Sequence, residues 1–174
     1  RFSDGLRATD AATLEIAVSV FAGKVNTAIT AQLRTSGVNA VGLTGVDGRL
    51  ATVEPQLEPP GLGFVGQVHA VDPASLTTLT DAGFVPVIAP ISSDDDGVLY
   101  NINADTLAGE VAAALSAARL VFISNVPGVL DAAGHTIPLV TPHSAAELRA
   151  NGTVTGGMIP KVDSALQRLD RIDE

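Results

Sequence analysis

The chain has no cysteine, no tryptophan, a single methionine and only 3% aromatic residues. Without a thiol it can form no disulfide, no zinc–thiolate centre and no cysteine nucleophile. That absence is compatible with the cytoplasm, which is the expected location. Basic residues are scarce as well, with ten Lys and Arg against 19 Asp and Glu and a formal net charge of −9. A phosphate backbone is held by a basic face, so nucleic acid is not an expected partner. A local basic pocket for a small anion remains compatible with such a total. No run approaches the ~18 to 20 apolar residues of a membrane span, and no signal peptide opens the chain, so no membrane contact is expected. Neither G-x-x-x-x-G-K-[ST] nor G-x-S-x-G occurs, which removes P-loop proteins and hydrolases of the nucleophile-elbow class. The chain begins at Arg1 without methionine and closes on Leu-Asp-Arg-Ile-Asp-Glu, and both ends are expected to be cuts.

What is present is a globular α/β composition: 46% hydrophobic residues, 17 Gly and 10 Pro in 174 residues, enough for one full core. Residues 10–36 predict one long amphipathic helix. Leu14, Val18, Phe21, Val25, Ile29 and Leu33 recur at spacings of three and four, Asp10 is its cap and Gly37 its stop. Val38 to Leu43 is a short apolar run, 46–48 a Val-Asp-Gly turn, and 54–63 a loop rich in Pro and Gly. "FVGQVHAV" (64–71) alternates as a strand does. Asp72-Pro73 opens a short helix ended by Gly83. "FVPVIAP" (84–90) predicts a strand buried on both faces, followed by an acidic loop at 91–99. Residues 104–118 predict a helix, "RLVFIS" (119–124) a second buried strand, and Thr141-Pro142 a helix to about 151. The last helix spans about 158–172. Apolar strands alternating with helices imply a mainly parallel sheet covered on both faces, in one domain over 1–174.

Ligands of open α/β sheets sit beyond the carboxyl ends of the strands. Three segments are expected at that edge: "YNINAD" (100–105), "SNVPG" (124–128) and "GGMIPK" (156–161). Gly156 and Gly157 leave backbone amides open to close approach, and a helix start offers free N–H groups. Lys161 opposes the helix dipole there, and a bound phosphate would reverse the sign of that problem. The same pattern also fits a loop followed by a helix with an exposed lysine. Asn101 and Asn103 each donate and accept, which suits a ligand with a carboxylate and an amide, and Asp105 is a cap or the partner of a lysine. A polar turn with a surplus of caps fits equally. Arg7 in "DGLRATD" could bind a carboxylate through both guanidinium arms, or lie on the surface.

Other patterns carry no site. "GLGFVG" (61–66) matches G-x-G-x-x-G but follows Pro59-Pro60 and precedes a strand, so the dinucleotide reading fails its context. Asp94-Asp95-Asp96 predicts a solvated turn. His69, His135 and His143 lack metal-ligand spacing, and no metal-binding residues are expected.

Taken in order, "DGLRATD", "FAGKVN", "AVGLTGVDG", "GFVGQV", "GFVPVIAPI", "YNINADT", "SNVPGVL" and "GGMIPKV" resemble the acetylglutamate kinases, a branch of the amino acid kinase family. The resemblance covers essentially all 174 residues, and "NINAD" with "GGMIPKV" is its most specific part. It implies a three-layer αβα sandwich on a mainly parallel sheet. It implies ATP-dependent phosphorylation of the side-chain carboxylate of N-acetyl-L-glutamate, with Mg²⁺, in the second step of arginine biosynthesis. By the family pattern Arg7 and Asn101 hold the substrate α-carboxylate and Asn103 supports that corner. Lys161 meets the nucleotide and the transferred phosphoryl group, and Asp105 orients the catalytic lysines. Ser124, Asn125, Gly156, Gly157 and Met158 lie near the nucleotide. The family often has Asp where this chain has Asn125. The family also implies a homo-oligomer, a dimer or a ring of dimers. Its members begin with a strand carrying another phosphate-binding lysine and a glycine-rich turn, neither of which is in this sequence. The alternatives are a related kinase acting on carrier-bound aminoadipate or glutamate, and a non-catalytic module that keeps the amino-acid pocket.

Overall fold

A computed structural model describes residues 2–3, 6–131, 133–155 and 157–172, with the side chains of 1–7, Pro160 and 167–172 outside that description. In chain order the elements are β1 (Phe2–Ser3), β2 (Leu6–Arg7), α1 (Ala11–Thr35), β3 (Ala40–Thr44), β4 (Ala51–Pro55), β5 (Val65–Val71), α2 (Ala74–Asp81), β6 (Val85–Ala89), β7 (Ile91–Ser93), β8 (Leu99–Ile102), α3 (Ala104–Ala114), α4 (Pro142–Ala150) and α5 (Met158–Ile172). The α/β class expected from the alternation is what the chain builds. β3 and β6 pair in parallel, Ala40 opposite Val85 through Thr44 opposite Ala89, and α1 and α2 pack on the pair. The other four long strands close in the order β4-β5-β8-β7, alternating antiparallel and parallel contacts.

The long helix is present with the expected ends. Asp10 accepts a hydrogen bond from the Thr13 amide at 2.8 Å, and hydrogen bonding by the Thr13 side chain and then its amide holds the carboxyl below the usual carboxylate range. Beyond Thr35 the chain turns at Gly37, whose φ of 78° favours glycine. The expected buried stripe is wrong, however. Val18–Val25 winds as a π segment, and the buried residues of α1 are Ala17 and Asn26, while Phe21, Val25 and Ile29 are exposed. Each π turn holds more residues than an α turn, so a 3.6-residue period read across it drifts off the buried face. At 25 residues and a mean hydropathy of 1.2, α1 is also long and apolar enough to cross a membrane by length and composition, contrary to expectation. Here it is a wall of the domain, tied to the strands through Asn26.

Four further expectations are corrected. Residues 51–55 form β4, part of which was expected to be loop, because Ala51 and Val53 alternate into the core formed with Tyr100, Ile102 and Leu107. Residues 91–99 are not simply loop. β7 and β8 form a hairpin in which Ser92 faces Tyr100, and Asp94 ties the turn by accepting from the amides of Asp96 and Val98. β6 is not fully buried: Val85 lies exposed and only Ala89 is buried, although helices pack on the pair, and β3 is the one strand it pairs with among the described residues. Residues 119–124 join no ladder among the described residues. Val121 and Ile123 are 76% and 95% exposed, because apolar alternation makes a strand only where another strand receives its hydrogen bonds.

A second apolar cluster, Ala145, Val154 and Val162 with Val129, Val140 and Leu148, holds α4 and α5 together. α5 also packs on α3. The glycines of "GLGFVG" are structural. Gly63 has φ 67°, and a Cβ there would lie 2.4 Å from the Thr9 carbonyl oxygen. Gly63→Ala is therefore expected to cost about 1 to 3 kcal/mol in urea unfolding, whereas Gly23→Ala, in a helix with open space, should be neutral or stabilise by up to about 1 kcal/mol. Burial raises the Tyr100 phenol above 10.0, and its O–H donates to Asp94 at 3.1 Å. Its contribution is present below that pH and lost as pH rises through the raised value. Tyr100→Phe should flatten the alkaline limb of a stability–pH curve.

Candidate functional site

The site begins at the start of α3. The β7–β8 hairpin delivers Asn101 at the end of a strand, and the chain turns directly into the helix. Asn103 is the cap, its Oδ1 accepting from the Thr106 amide at 3.0 Å and the Thr106 hydroxyl at 3.3 Å. Capping therefore falls to Asn103 and leaves Asp105 for another role. Asp105 stands in the first turn, where the helix dipole favours a carboxylate.

Its partner comes from 56 positions further along the chain. Lys161 Nζ donates to both oxygens of Asp105, at 2.7 Å and 3.0 Å. Both side chains are 22% exposed, so the pair is partly shielded yet reachable. Lys161 opens α5, where the dipole opposes a cation, and the Asp105 carboxylate offsets that. The ammonium also lies 5.6 Å from the centre of the Phe122 ring, within cation–π range.

Two cavities involve this part of the chain. One, of about 550 Å³, is bounded by Asn101, Asn103 and Ala104 and faced by Ile16, Val20 and Phe21 of α1. Among the described residues no charged side chain lines it. The other, of about 260 Å³, holds Lys161 together with Phe122, Ser124, Gly128 and Met158. Asp105 thus follows two residues that line the first cavity and grips a residue that lines the second. Among the described residues no Asp or Glu lines either one, and no three His, Asp or Glu side chains are grouped to hold a metal.

The structure brings together most of the residues expected at the site. Asn101 Nδ2 donates to the hydroxyl of Thr9 at 3.2 Å, so the arginine segment reaches Asn101 through a residue two positions after Arg7. The backbone of Arg7 pairs with Phe2, and its side chain lies outside the described residues. Ser124 and Met158 line the second cavity. Asn125 is exposed and accepts from the Ser124 hydroxyl at 3.4 Å, without lining that cavity. Gly157 is exposed with open space around it, and Gly156 lies outside the described residues.

Sequence reasoning missed Thr9, Phe122 and the cavity wall on α1. Thr9 is 1% exposed, and its place beside Arg7 was a usable signal. Phe122 alternates with the exposed Val121 and Ile123, which marks the opposite face of that segment. The α1 wall had no such signal, because the π segment displaced it.

Residues 1–172 match the amino acid kinase family. The chain is 47% identical to the acetylglutamate kinase of Methanopyrus kandleri, over 98% of this chain and 72% of that protein. It is 46% identical to the chloroplastic acetylglutamate kinase of Arabidopsis thaliana, over 97% and 49%. Among solved structures it is similar to smu.665 from Streptococcus mutans, with a TM-score of 0.88, 29% identity, and 95% and 66% of the two chains covered. N-acetylglutamate synthase from Neisseria gonorrhoeae, complexed with coenzyme A and N-acetyl-glutamate, superposes with a TM-score of 0.80 at 26% identity, over 98% and 39%. The chain spans between about half and three quarters of the length of the two kinases.

Removal of either member of the central pair should cost stability through a shared term. A double-mutant cycle with Asp105→Asn and Lys161→Met is expected to show a coupling of roughly 0.5 to 3 kcal/mol in urea unfolding. Strict additivity would mean that the two side chains do not interact.

Proposed function

The chain belongs to the amino acid kinase family, and from that premise we propose that the protein phosphorylates the side-chain carboxylate of N-acetyl-L-glutamate with ATP, giving N-acetylglutamyl phosphate for arginine biosynthesis. The observation that carries this reading is the Asp105–Lys161 pair, whose lysine lines the smaller cavity and whose aspartate directly follows Asn103 and Ala104 of the amide-edged one. In this reading the first cavity takes the amino acid and the second belongs to the nucleotide.

A carboxylate is already a nucleophile at neutral pH, so no strong base is required. The obstacle is bringing an anion to a polyanion, and the remedy is charge neutralisation with in-line alignment. One side-chain oxygen of the substrate bonds to the γ-phosphorus, the bond from that phosphorus to the β,γ-bridging oxygen breaks, and ADP departs with the electron pair. Lys161 meets the charge on the transferring group. Asp105 is a positioning residue: it holds Nζ by two hydrogen bonds and so aims the ammonium. Arg7 and Asn101 hold the α-carboxylate, and Asn103 fixes the turn between them and Asp105. Ser124, Met158 and the Gly156-Gly157 turn border the nucleotide, with Asn125 next to them. Mg²⁺ would arrive on the phosphates and neutralise them there. The described linings hold no Asp or Glu, which suits a metal held by the nucleotide rather than by a protein cage.

The first cavity also supports an acylated substrate. A free amino acid carries an ammonium that needs a carboxylate or several acceptors when desolvated. Among the described residues this lining is uncharged, with Arg7 the one charged group read at its edge, and its α1 side is apolar. An N-acetyl group fits that wall, and an ammonium does not. The protein is read as cytoplasmic, without nucleic-acid or membrane partners, and as a homo-oligomer.

The test is the purified full-length protein with ATP, Mg²⁺ and N-acetylglutamate, trapping the acyl phosphate as a hydroxamate. Product is expected with N-acetylglutamate and little with free glutamate. No hydroxamate at high enzyme concentration contradicts the reading. Lys161→Ala should lower turnover by more than about tenfold. Arg7→Ala should chiefly raise the N-acetylglutamate concentration needed for saturation, and an unchanged saturation curve would reject its role.

A further inference from the structure

Asn26 is the buried polar residue of α1, 6% exposed and placed immediately after the π segment. Its Nδ2 donates to the Val87 carbonyl oxygen at 2.7 Å and to the Leu43 carbonyl oxygen at 3.3 Å. Those two oxygens belong to the adjacent parallel strands β6 and β3. Two carbonyls can be satisfied only by the amide's donor end, so the chemistry fixes the side-chain orientation. Gly42 makes room for it, since a Cβ there would lie 2.0 Å from Asn26 Oδ1. Phe21 and Val20 stand five and six residues back along α1 and Ala17 nine, and all three line the first cavity with Asn101 and Asn103. The Asn26 backbone N–H reaches the Phe21 carbonyl five residues earlier, the π-type bond that closes the segment. At the other end of the clamp, β6 runs into Pro90, which lines the same cavity and accepts from the Ile102 amide at 3.0 Å.

We infer that Asn26 is a positioning residue that sets the width of the cavity between α1 and the Asn101–Asn103 edge, and thereby the size of the N-acyl group the enzyme accepts. This rests on the reading of that cavity as the acyl-amino-acid site. The π segment gives α1 no regular α ladder to fix the rotation of Val20 and Phe21. The amide clamp supplies that fixity by holding the end of the segment to two strands at once. Without it the wall can retreat while the Asp105–Lys161 pair, on other elements, stays in place.

The experiment compares N-acetyl-, N-propionyl- and N-butyryl-L-glutamate as substrates of the full-length wild type and of Asn26→Ser. In the wild type, each added methylene should lower kcat/KM by about tenfold or more. In Asn26→Ser the propionyl-to-acetyl ratio should rise at least about fivefold, with the KM for ATP unchanged within about threefold. A folded variant with the wild-type ratio overturns the inference, and so does an equal rise in KM for both substrates. Should Asn26→Ser not fold, Gly42→Ala displaces the same amide from the opposite side and is read by the same ratio. A wild type that phosphorylates none of the three would instead overturn the functional reading beneath it.

Discussion

The two hydrogen bonds from Lys161 to Asp105 are the constraint on which the site depends. The first apolar cluster is built from β4, β8 and the start of α3, and the second from α4, α5 and the segments around them. The pair joins an atom on α3 to an atom on α5 and sits where the two cavities come nearest in sequence terms. Each residue also answers a local electrostatic condition. Asp105 is favoured where α3 begins, and Lys161 is disfavoured where α5 begins until that carboxylate neutralises it. The two hydrogen bonds hold the ammonium in one position.

Around the pair the division of labour follows residue chemistry. Asn103 spends its carbonyl oxygen on capping α3. Asn101 spends one donor on Thr9 and faces the cavity from the strand end. The glycine at 63 lets the Thr9 backbone approach closely enough for that contact. The opposite wall comes from α1, whose irregular winding is compensated by the Asn26 clamp. None of these described groups is charged, which is the basis for reading the cavity as the site of an acylated amine.

Much of this was legible in the sequence, and the parts that were not have physical reasons. Asp10, Thr141 and Gly37 act at helix ends as expected, where one side chain or one φ value decides the structure, whereas the cap of α3 is Asn103 and not Asp105. Asp105 and Lys161 were paired by resemblance and by charge logic, and their contact is present. The buried stripe of α1 was misread because period counting assumes an unbroken α-helix. Residues 119–124 were misread because hydrophobicity reports burial and says nothing about which strand supplies the hydrogen bonds. β4 was missed because Pro55 and the following Pro-Gly loop masked three alternating residues before it.

The measurement closest to the centre of this account is ligand binding to Lys161→Met, taken separately for each ligand by calorimetry. If Lys161 serves the nucleotide side and Asp105 only aims it, ADP affinity should fall by about tenfold or more while N-acetylglutamate affinity stays within about threefold. Unchanged ADP affinity, or a loss confined to N-acetylglutamate, would contradict the assignment of the two cavities.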